Sequence, residues 1–346
     1  MIKEDMWDQQ FHVSNRSVGI WYGAGFEKLD AYLKGQRVIF ITDDHIFEKH
    51  RLKFQGRDTI VLPAGENHKH QETINTIIDQ LITLQADRKS YVVGVGGGVV
   101  TDMAGFAASI YMRGVRFGFV PTSVLAMVDA SIGGKNGIDV GVYKNLVGVI
   151  NQPEFLLYDY SFLQTLPHEE WVNGFAEIIK HACIRDPSLF QTLQKASVSH
   201  YQNTPDEMAA IITRNVAIKS GIVSRDERES GERKLLNFGH TIGHAIENTS
   251  QLPHGHAISI GMVAACRISE VINHLDPAVT ASVVKLLQQY QLPVSHPFDK
   301  EKTWDILVHD KKKAGDQMSF VVLDAIGAAA IQSISLDQLH QIFNQL

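Results

Sequence analysis

The sequence is poor in cysteine, in long apolar runs and in positive charge. Its only two cysteines, Cys183 and Cys266, each lie inside an apolar helical pattern, which predicts reduced core residues rather than disulfides, metal ligands or nucleophiles. No apolar run reaches the roughly 20 residues of a membrane helix, and the charged start of the chain is unlike a signal peptide. With 32 basic and 38 acidic residues, the chain lacks the basic surplus of a nucleic-acid-binding protein. We therefore expect a cytoplasmic protein that binds neither a membrane nor nucleic acid.

The length of 346 residues predicts two domains, and the residue pattern changes along the chain. Before about residue 160, helical patterns alternate with apolar, β-rich runs at residues 37–43, 59–65, 90–98 and 114–122. This alternation is typical of a parallel sheet with helices on its faces. Later patterns are mostly helical, and a short β-like pair follows near the end. The predicted fold is α/β: a Rossmann-like, parallel-sheet domain at residues 1–160, then a mostly α-helical, metal-binding domain at residues 161–346.

A glycine-rich stretch follows the third of these runs. In GVGGGVVTDMAG, residues 94–105, Gly96, Gly97 and Gly98 stand where a buried strand turns into a helix. Glycine lets the backbone approach a phosphate, and a helix N-terminus offers free N–H groups to it. The spacing is not GxGxxG, so the usual dinucleotide fingerprint is absent. From these residues alone, a phosphate-binding turn and a plain strand-to-helix turn both remain open.

Charged side chains are interspersed with apolar residues in the middle of the chain. VPTSVLAMVDASIGGKNGIDVGVYKNLVG, residues 120–148, sets Asp129, Lys135 and Lys144 among apolar neighbours, where an isolated charge is costly to desolvate, and Arg113 lies just before it. A local concentration of cations in an acidic protein indicates an anionic ligand, either a phosphate or a carboxylate. The alternative is surface lysines whose aliphatic stems are buried.

NFGHTIGHAIENTSQLPHGH, residues 237–256, contains four histidines on a predicted helix and the loop after it: His240, His244, His254 and His256. On a helix, His240 and His244 share one face. This is the spacing of HExxH zinc enzymes, but Thr241 stands where those enzymes have glutamate. Glu177, on another predicted helix, could complete a site with one glutamate, two histidines and an open position, as catalytic zinc sites have. A merely polar helix face remains the alternative.

The longest of these motifs is GGGVVTDMAGFAASIYMRGVRFGFVPTSVLAMVDASIGGKNGIDVGVYKNLVG, and it is followed in order by NGFAEIIKHACI, DERESGERKLLNFGHTIGHAIE, LPHGHAISIGM and HDKKKAG. Over roughly residues 40 to 330 the sequence resembles the 3-dehydroquinate synthase family nearly residue for residue. The resemblance implies a homodimer of two-domain subunits that bind NAD and one divalent metal ion, usually zinc and in some cases cobalt. It also implies a reaction of the shikimate pathway, in which 3-deoxy-D-arabino-heptulosonate 7-phosphate becomes 3-dehydroquinate and phosphate. The implied steps are transient oxidation by NAD, phosphate elimination, reduction and aldol cyclisation.

The same resemblance assigns roles to individual residues. The implied metal ligands are Glu177, His240 and His254, with His244 beside the phosphate and in proton transfer and His256 outside the ligand set. Arg113 is implied to reach the phosphate in the neighbouring subunit. The other residues implied to contact the substrate are Asp129, Lys135, Asn145, Lys180, Lys219, Arg233, Asn237 and Lys311. The residues implied to bind NAD are Asp43, Glu66, Lys69, Gly97, Gly98, Asp102, Thr122, Ser123, Asp129, Lys144, Phe162, Thr165 and Glu170.

Two departures from the family pattern and three other functions remain open. His45 replaces a usual asparagine near the adenosine, and the run of three lysines makes Lys312 an alternative to Lys311. The nearest alternative function is another sugar-phosphate cyclase, such as a 2-deoxy-scyllo-inosose synthase, whose substrate lacks a carboxylate and would not require all three of Lys219, Arg233 and Asn237. A metal-dependent polyol dehydrogenase would release NADH. A catalytically inactive NAD-binding or scaffold protein is the alternative from outside the enzymes.

Overall fold

The structure, a computed structural model, describes residues 7–141, 143–309 and 316–345, except for the side chain of His309. The chain divides into two compact units. The first unit comprises the residues up to Pro167 together with Pro205–Glu227, and the second comprises His168–Thr204 and the residues from Arg228 onward. Each unit is described by itself.

The first unit is built on nine strands: β1 (Gln9–Val13), β2 (Arg16–Tyr22), β3 (Val38–Asp43), β4 (Asp58–Leu62), β5 (Tyr91–Gly96), β6 (Arg116–Pro121), β7 (Lys135–Val140), β8 (Tyr143–Ile150) and β9 (Phe155–Tyr158). Seven of them form one sheet in the order β1-β2-β9-β6-β5-β3-β4, in which only the β1–β2 pair is antiparallel. The four predicted strands are β3 to β6, so the parallel sheet is confirmed. The β1–β2 hairpin and β9 were not predicted.

The helices of the first unit are α1 (Phe26–Tyr32), α2 (Asp44–Lys49), α3 (Arg51–Phe54), α4 (Gln71–Thr83), α5 (Gly98–Ile110) and α9 (Pro205–Arg225). A core of aromatic and aliphatic side chains lies against the sheet and includes Trp21, Phe40, Tyr91 and Phe155. Helix α9 belongs to this unit, whereas the predicted domain boundary at residue 160 places it in the second domain.

The chain reverses its direction across the sheet between β3 and β5. From β3 it continues outward to β4, and from β5 it continues to β6 on the opposite side. Such a reversal leaves a crevice at the carboxyl ends of the two strands, where open α/β sheets bind their ligands. Asp43 ends β3, and Gly97 and Gly98 follow β5, so the predicted nucleotide residues lie at this edge.

Strands β7 and β8 form a separate two-stranded antiparallel ribbon. Unusually for a strand of a folded unit, β8 exposes apolar side chains: Tyr143, Leu146, Val147 and Ile150 are between 40% and 57% exposed. An isolated two-stranded ribbon is marginally stable in water. We return to this surface below.

The second unit is mostly helical, as the sequence predicts. Its helices are α6 (His168–Arg185), α7 (Pro187–Leu193), α8 (Val198–Asn203), α10 (His240–Ser250), α11 (His254–Ile272), α12 (Pro277–Gln289), α13 (Lys300–His309) and α14 (Leu336–Phe343). The predicted β pair is the antiparallel hairpin of β10 (Gln317–Ala325) and β11 (Ala328–Ser335). By length and composition, α11 could cross a membrane, although 67% of its most apolar window is buried within the protein. A mostly buried helix of this kind is also what the core of a soluble protein contains.

Two sequence predictions about the histidine stretch are wrong. The helical pattern of residues 234–248 predicts one helix that carries His240 and His244, but Gly239 adopts a positive φ of 79° and separates a 3-10 turn at Glu232–Asn237 from α10. His254 does not lie in a loop, since it is the first residue of α11. Consequently His240 and His254 each begin a helix, and Arg233 lies in the 3-10 turn rather than on the helix of the histidines.

Candidate active site

Three helices of the second unit bring a carboxylate and two imidazoles together. Glu177 lies in the middle of α6, His240 begins α10 and His254 begins α11. Potential ligand atoms of the three residues all lie within 4.8 Å of one another. The Oε1 atom of Glu177 is 3.4 Å from Nε2 of His240 and 3.3 Å from Nε2 of His254. One oxygen and two nitrogens around a common point are the donors of a catalytic zinc site with an open position.

Close backbone contacts hold these three helices in place. A Cβ atom on Gly255 would lie 2.2 Å from the backbone oxygen of Asn173 on α6, and the N–H of Gly255 donates to the side chain of Asn173. Similarly, a Cβ atom on Gly261 of α11 would lie 1.9 Å from the backbone oxygen of Gly239. Since only glycine permits these approaches, the sequence itself fixes how near His254 comes to Glu177.

The second ring nitrogen of each histidine also has a partner. Nδ1 of His240 lies 3.2 Å from the carbonyl oxygen of Phe238, and Nδ1 of His254 lies 3.3 Å from Oε2 of Glu247. A hydrogen bond donated from Nδ1 leaves Nε2 as the nitrogen with a free lone pair. Both rings therefore direct their Nε2 atoms towards Oε1 of Glu177.

The two carboxylate oxygens of Glu177 have different partners. The ammonium group of Lys180, which is buried, forms an ion pair with Oε2 of Glu177, one helical turn away on α6. The other oxygen, Oε1, faces the two histidines. We expect Glu177 to bind a metal through Oε1 alone. Lys180, which the resemblance places at the substrate, is a direct neighbour of the predicted ligand Glu177.

The electrostatic environments of the three histidines differ. Burial and the nearby Lys180 ammonium hold the pKa of His240 well below its usual range. Burial, with a smaller contribution from His254, lowers the pKa of His244 to about 4, so its ring is neutral at pH 7. Burial also disfavours the charged form of His254, but its hydrogen bonds to Glu177 and Glu247 outweigh this and raise its pKa to about 10. The ring of His254 thus lies between the carboxylates of Glu177 and Glu247.

His244 lies beside Glu177, His240 and His254, and His256 belongs to none of the groups among the described residues that could hold a metal. The ring of His244 is centred 5.1 Å from that of His240 and 6.0 Å from that of His254. It forms a second group with Glu247 and His254, again with ligand atoms within 4.8 Å. His256 is half-buried, and burial lowers its pKa. The predicted separation of roles among the four histidines stays a prediction.

In the first unit, the predicted nucleotide residues lie around the carboxyl ends of the strands. Asp43 caps α2 by accepting a hydrogen bond from the N–H of Ile46 at 2.8 Å, and burial raises the pKa of its carboxyl group. Gly97 is the N-cap of α5, and no side chain caps that helix, so its first N–H groups face outward. A Cβ atom on Gly96 would lie 2.5 Å from Cβ of Val100, which shows that this glycine also serves the packing of strand against helix.

A buried ammonium organises the polar residues near α5. Nζ of Lys69 lies 2.6 Å from Oδ2 of Asp102 and 2.6 Å from Oδ1 of Asn145, and Lys69 is only 5% exposed. Although burial disfavours a charged amine, the carboxylate of Asp102 raises the pKa of Lys69. Asn145 has a positive φ of 52°, which turns its side chain back towards this cluster. Three predicted residues from separate segments thus meet directly.

The other residues of the first unit with a predicted role form ion pairs, are buried, or are exposed. Lys144 pairs with Glu66 at 2.8 Å, and Lys219 on α9 pairs with Asp129 at 2.8 Å. Thr122 and Ser123 are buried just after β6, Phe162 is buried in the core, and Thr165 contacts His50 at 2.8 Å. Lys135 and Arg113 are exposed, and Arg113 has a positive φ of 67° in the turn after α5.

In the second unit, Asn237 donates a hydrogen bond to Glu229, Arg233 is buried, and Glu170 is exposed near the start of α6. Lys311 and its alternative Lys312 lie outside the described residues. The sequence interpretation missed Glu229 and Glu247. The signal for Glu247 was available, because it follows His244 by three residues and His240 by seven, which places all three on one face of α10.

Two family models match the chain. The model described as 3-dehydroquinate synthase N-terminal matches residues 59–173, and the model described as 3-dehydroquinate synthase C-terminal matches residues 174–313. The two matches are contiguous and cover more than half of the chain. They include Glu177, His240 and His254.

Curated proteins of the same name are similar over most of the chain. The 3-dehydroquinate synthase of Streptococcus suis (strain 05ZYH33) is 37% identical over 318 residues, which are 88% of this chain and 89% of that protein. The 3-dehydroquinate synthase of Pelobacter propionicus (strain DSM 2379 / NBRC 103807 / OttBd1) is 40% identical over 284 residues, which are 81% of this chain and 79% of that protein.

Solved structures share the fold at lower sequence identity. A 2-deoxy-scyllo-inosose synthase complexed with carbaglucose-6-phosphate, NAD+ and Co2+ has a TM-score of 0.85 at 24% identity, and the match covers 97% of this chain and 99% of that one. ValA, a 2-epi-5-epi-valiolone synthase from Streptomyces hygroscopicus subsp. jinggangensis 5008 with NAD+ and Zn2+ bound, also has a TM-score of 0.85 at 24% identity, over 96% and 98% of the two chains. At this identity the likeness establishes the fold alone.

Proposed function

This chain belongs to the 3-dehydroquinate synthase family, and we propose that it converts 3-deoxy-D-arabino-heptulosonate 7-phosphate into 3-dehydroquinate and phosphate. The main structural support is the convergence of Glu177, His240 and His254, the three residues that the family resemblance implies as metal ligands. NAD and one divalent metal ion, zinc or cobalt, are the proposed cofactors.

The Glu177 group fits a divalent metal through its donor chemistry. One carboxylate oxygen and two imidazole nitrogens suit zinc, and each imidazole is oriented by a hydrogen bond from its other nitrogen. Such a metal acidifies a coordinated hydroxyl group and polarises the carbonyl that oxidation produces. Lys180 forms an ion pair with the second oxygen of Glu177, so the buried carboxylate beside the histidines has a cationic partner.

The edge of the parallel sheet fits a dinucleotide. Gly97 and Gly98 open α5 at the point where the chain reverses across the sheet, so their N–H groups are suited to a pyrophosphate. NAD held there would supply a hydride acceptor that also returns the hydride, so it would not be consumed. Asp102 is held in place by Lys69, which positions its carboxylate in the second turn of the same helix.

The proposed substrate carries a phosphate and a carboxylate, and the chain offers cations for both. Lys135, Asn145, His244 and Arg113 are proposed to hold the phosphate, and Lys219 and Arg233 the carboxylate. Lys219 already donates to the backbone oxygen of Asp129 at 2.6 Å, which fixes the direction of its ammonium group. His244 is proposed to move a proton as the phosphate leaves.

We also propose a homodimer, with the apolar surface of β8 as part of its interface. Leu146 is 57% exposed, and Ile110 and Met112 in the turn before Arg113 are 38% and 42% exposed. Ser109, near the end of α5, accepts a hydrogen bond from Asn151, which follows β8, at 2.8 Å, so the end of this helix and the ribbon are joined. Contiguous apolar surface of this kind is typical of an interaction site. Burial there would present Arg113 to the neighbouring subunit.

Phosphate release tests the reaction and separates it from its alternatives. Purified protein with NAD and Zn2+ should release phosphate and 3-dehydroquinate in equal amounts from the heptulosonate phosphate, without accumulation of NADH. A hexose 6-phosphate, which lacks the carboxylate, should be a poor substrate. Preference for the hexose phosphate would indicate an inosose-type cyclase, and NADH formed in proportion to substrate would indicate a polyol dehydrogenase.

A further inference from the structure

We propose that Glu247 is a positioning residue of the metal site, which holds the imidazole of His254 so that its Nε2 atom points at the ligand position beside Glu177. The inference rests on the proposed function, because it concerns the same metal. Glu247 lies at the ring edge of His254 opposite Glu177 and is not one of the implied ligands. Its proposed role is to orient His254 and not to bind the metal.

The geometry places His254 between two carboxylates. Oε2 of Glu247 lies 3.3 Å from Nδ1, and Oε1 of Glu177 lies 3.3 Å from Nε2, on the opposite edge of the ring. Glu247 is only 10% exposed, so water competes little for its oxygens. If Nδ1 donates its proton to Glu247, only Nε2 remains to bind a metal, and one tautomer and one ring orientation are selected.

His240 provides an internal comparison. Its Nδ1 atom faces the backbone oxygen of Phe238, a neutral acceptor that no side-chain substitution removes. Only the ring of His254 depends on a side chain for its orientation, and only that ring has a charged acceptor. A carboxylate acceptor strengthens the hydrogen bond and makes Nε2 a better donor to a cation. Glu247 should therefore affect metal affinity through the ring of His254.

A direct role in coordination is the competing explanation. Glu247, His244 and His254 also have ligand atoms within 4.8 Å of one another. To use that group while the Glu177 group is occupied, His254 would have to bind metals through both nitrogens and lose its remaining ring proton. Neutral imidazole binds a metal through one nitrogen while the other nitrogen keeps its hydrogen. The positioning role requires no such deprotonation.

Zinc affinity measured without substrate tests the proposal. Metal-free wild type, Glu247→Ala and Glu247→Gln would be titrated with Zn2+ against a competing chelator, and the Co2+-loaded forms compared by visible absorption. Glu270→Ala is the matched control, because Glu270 pairs with Arg267 and lies 16 residues beyond His254 on α11, about 24 Å along the helix axis. Its zinc affinity should equal that of the wild type.

Glu247→Ala should weaken zinc binding by about 10- to 100-fold, the usual effect of losing a partner of a metal-bound histidine. Glu247→Gln, whose amide oxygen can still accept from Nδ1, should recover most of that loss, and its Co2+ spectrum should stay closer to that of the wild type. Unchanged affinity in Glu247→Ala, or no recovery in Glu247→Gln, would overturn the proposal. A second equivalent of zinc that wild type binds and Glu247→Ala loses would identify Glu247 as a ligand instead. If the wild type itself bound no zinc, the proposed metal site would be wrong. This result differs from those that would reject the positioning role of Glu247 or identify Glu247 as a ligand.

Discussion

Replacing Gly255 by alanine should separate the metal ligands while leaving most of the fold intact. Gly255 is the second residue of α11 and follows His254 directly. An added Cβ atom would lie 2.2 Å from the backbone oxygen of Asn173 and 2.7 Å from its side-chain oxygen. The first of these atoms belongs to the backbone of α6, the helix that also carries Glu177, and it cannot rotate away.

The size of the effect follows from the distances. To reach an ordinary separation of 3.4 Å, the start of α11 and α6 must move apart by about 1.2 Å. Overpacking of this kind costs about 1–3 kcal/mol of folding free energy. Metal–ligand distances tolerate only about 0.2 Å, so a shift of His254 relative to Glu177 should weaken zinc binding by at least about tenfold, as loss of a supporting contact does.

Calorimetric unfolding and chelator-competition titration with Zn2+ would measure the two effects. The control is Gly221→Ala in α9, where the nearest atom to the added Cβ is the end of the Arg225 side chain at 3.6 Å. Because alanine is the better helix former, this control should stabilise the protein by up to about 1 kcal/mol and leave zinc binding unchanged. If Gly255→Ala bound zinc as the wild type does, within about twofold, the close approach of α6 and α11 would not be what places the ligands.

Further predictions concern the ligand set, the buried pair of the first unit and the dimer. Zinc content measured after desalting should be lost in His240→Ala and kept in His256→Ala, because three ligands leave no redundancy; the reverse pattern would refute the assignment. Lys69→Met should lower the free energy of unfolding by about 3 kcal/mol and weaken NAD binding, because it leaves the carboxylate of Asp102 without its cationic partner. An unchanged free energy of unfolding in chemical denaturation would contradict this. Mixing inactive Arg113→Ala with inactive Lys219→Ala subunits should restore about a quarter of the wild-type activity, because one site of each mixed dimer contains neither defect; no recovery after verified subunit exchange would argue against a shared site.

The sequence predicted the parallel sheet and the helical second unit because their periodicities are long and regular. It failed where single residues override periodicity. Gly239 adopts a left-handed conformation and ends an apparently continuous helical pattern, and His254 begins α11 although the residues before it are typical of a loop. In each case the structure of the segment depends on close contacts with residues far along the chain, which periodicity does not report.

The candidate site was predictable in its residue types but only partly in its geometry. The convergence of Glu177, His240 and His254 was implied by the resemblance to a family, and spacing within one helix could suggest only His240 and His244 as neighbours. The contacts of Lys180 with Glu177 and of Glu247 with His254 arise from side chains on adjacent turns or helices. The pattern of polar and apolar residues in a sequence does not show whether a polar side chain contacts another side chain or water.

The fate of the transferred hydride tests the central claim most directly. Heptulosonate phosphate deuterated at C5, the carbon to be oxidised, would be incubated with the protein, Zn2+ and a large pool of unlabelled NAD, and both the product and the nucleotide would be analysed by mass spectrometry. If the chain is a cyclase that uses NAD as a returning hydride carrier, the deuterium should be retained in the 3-dehydroquinate and the nucleotide pool should remain oxidised and unlabelled. Deuterated NADH accumulating in proportion to substrate consumed, with no release of phosphate, would contradict the account.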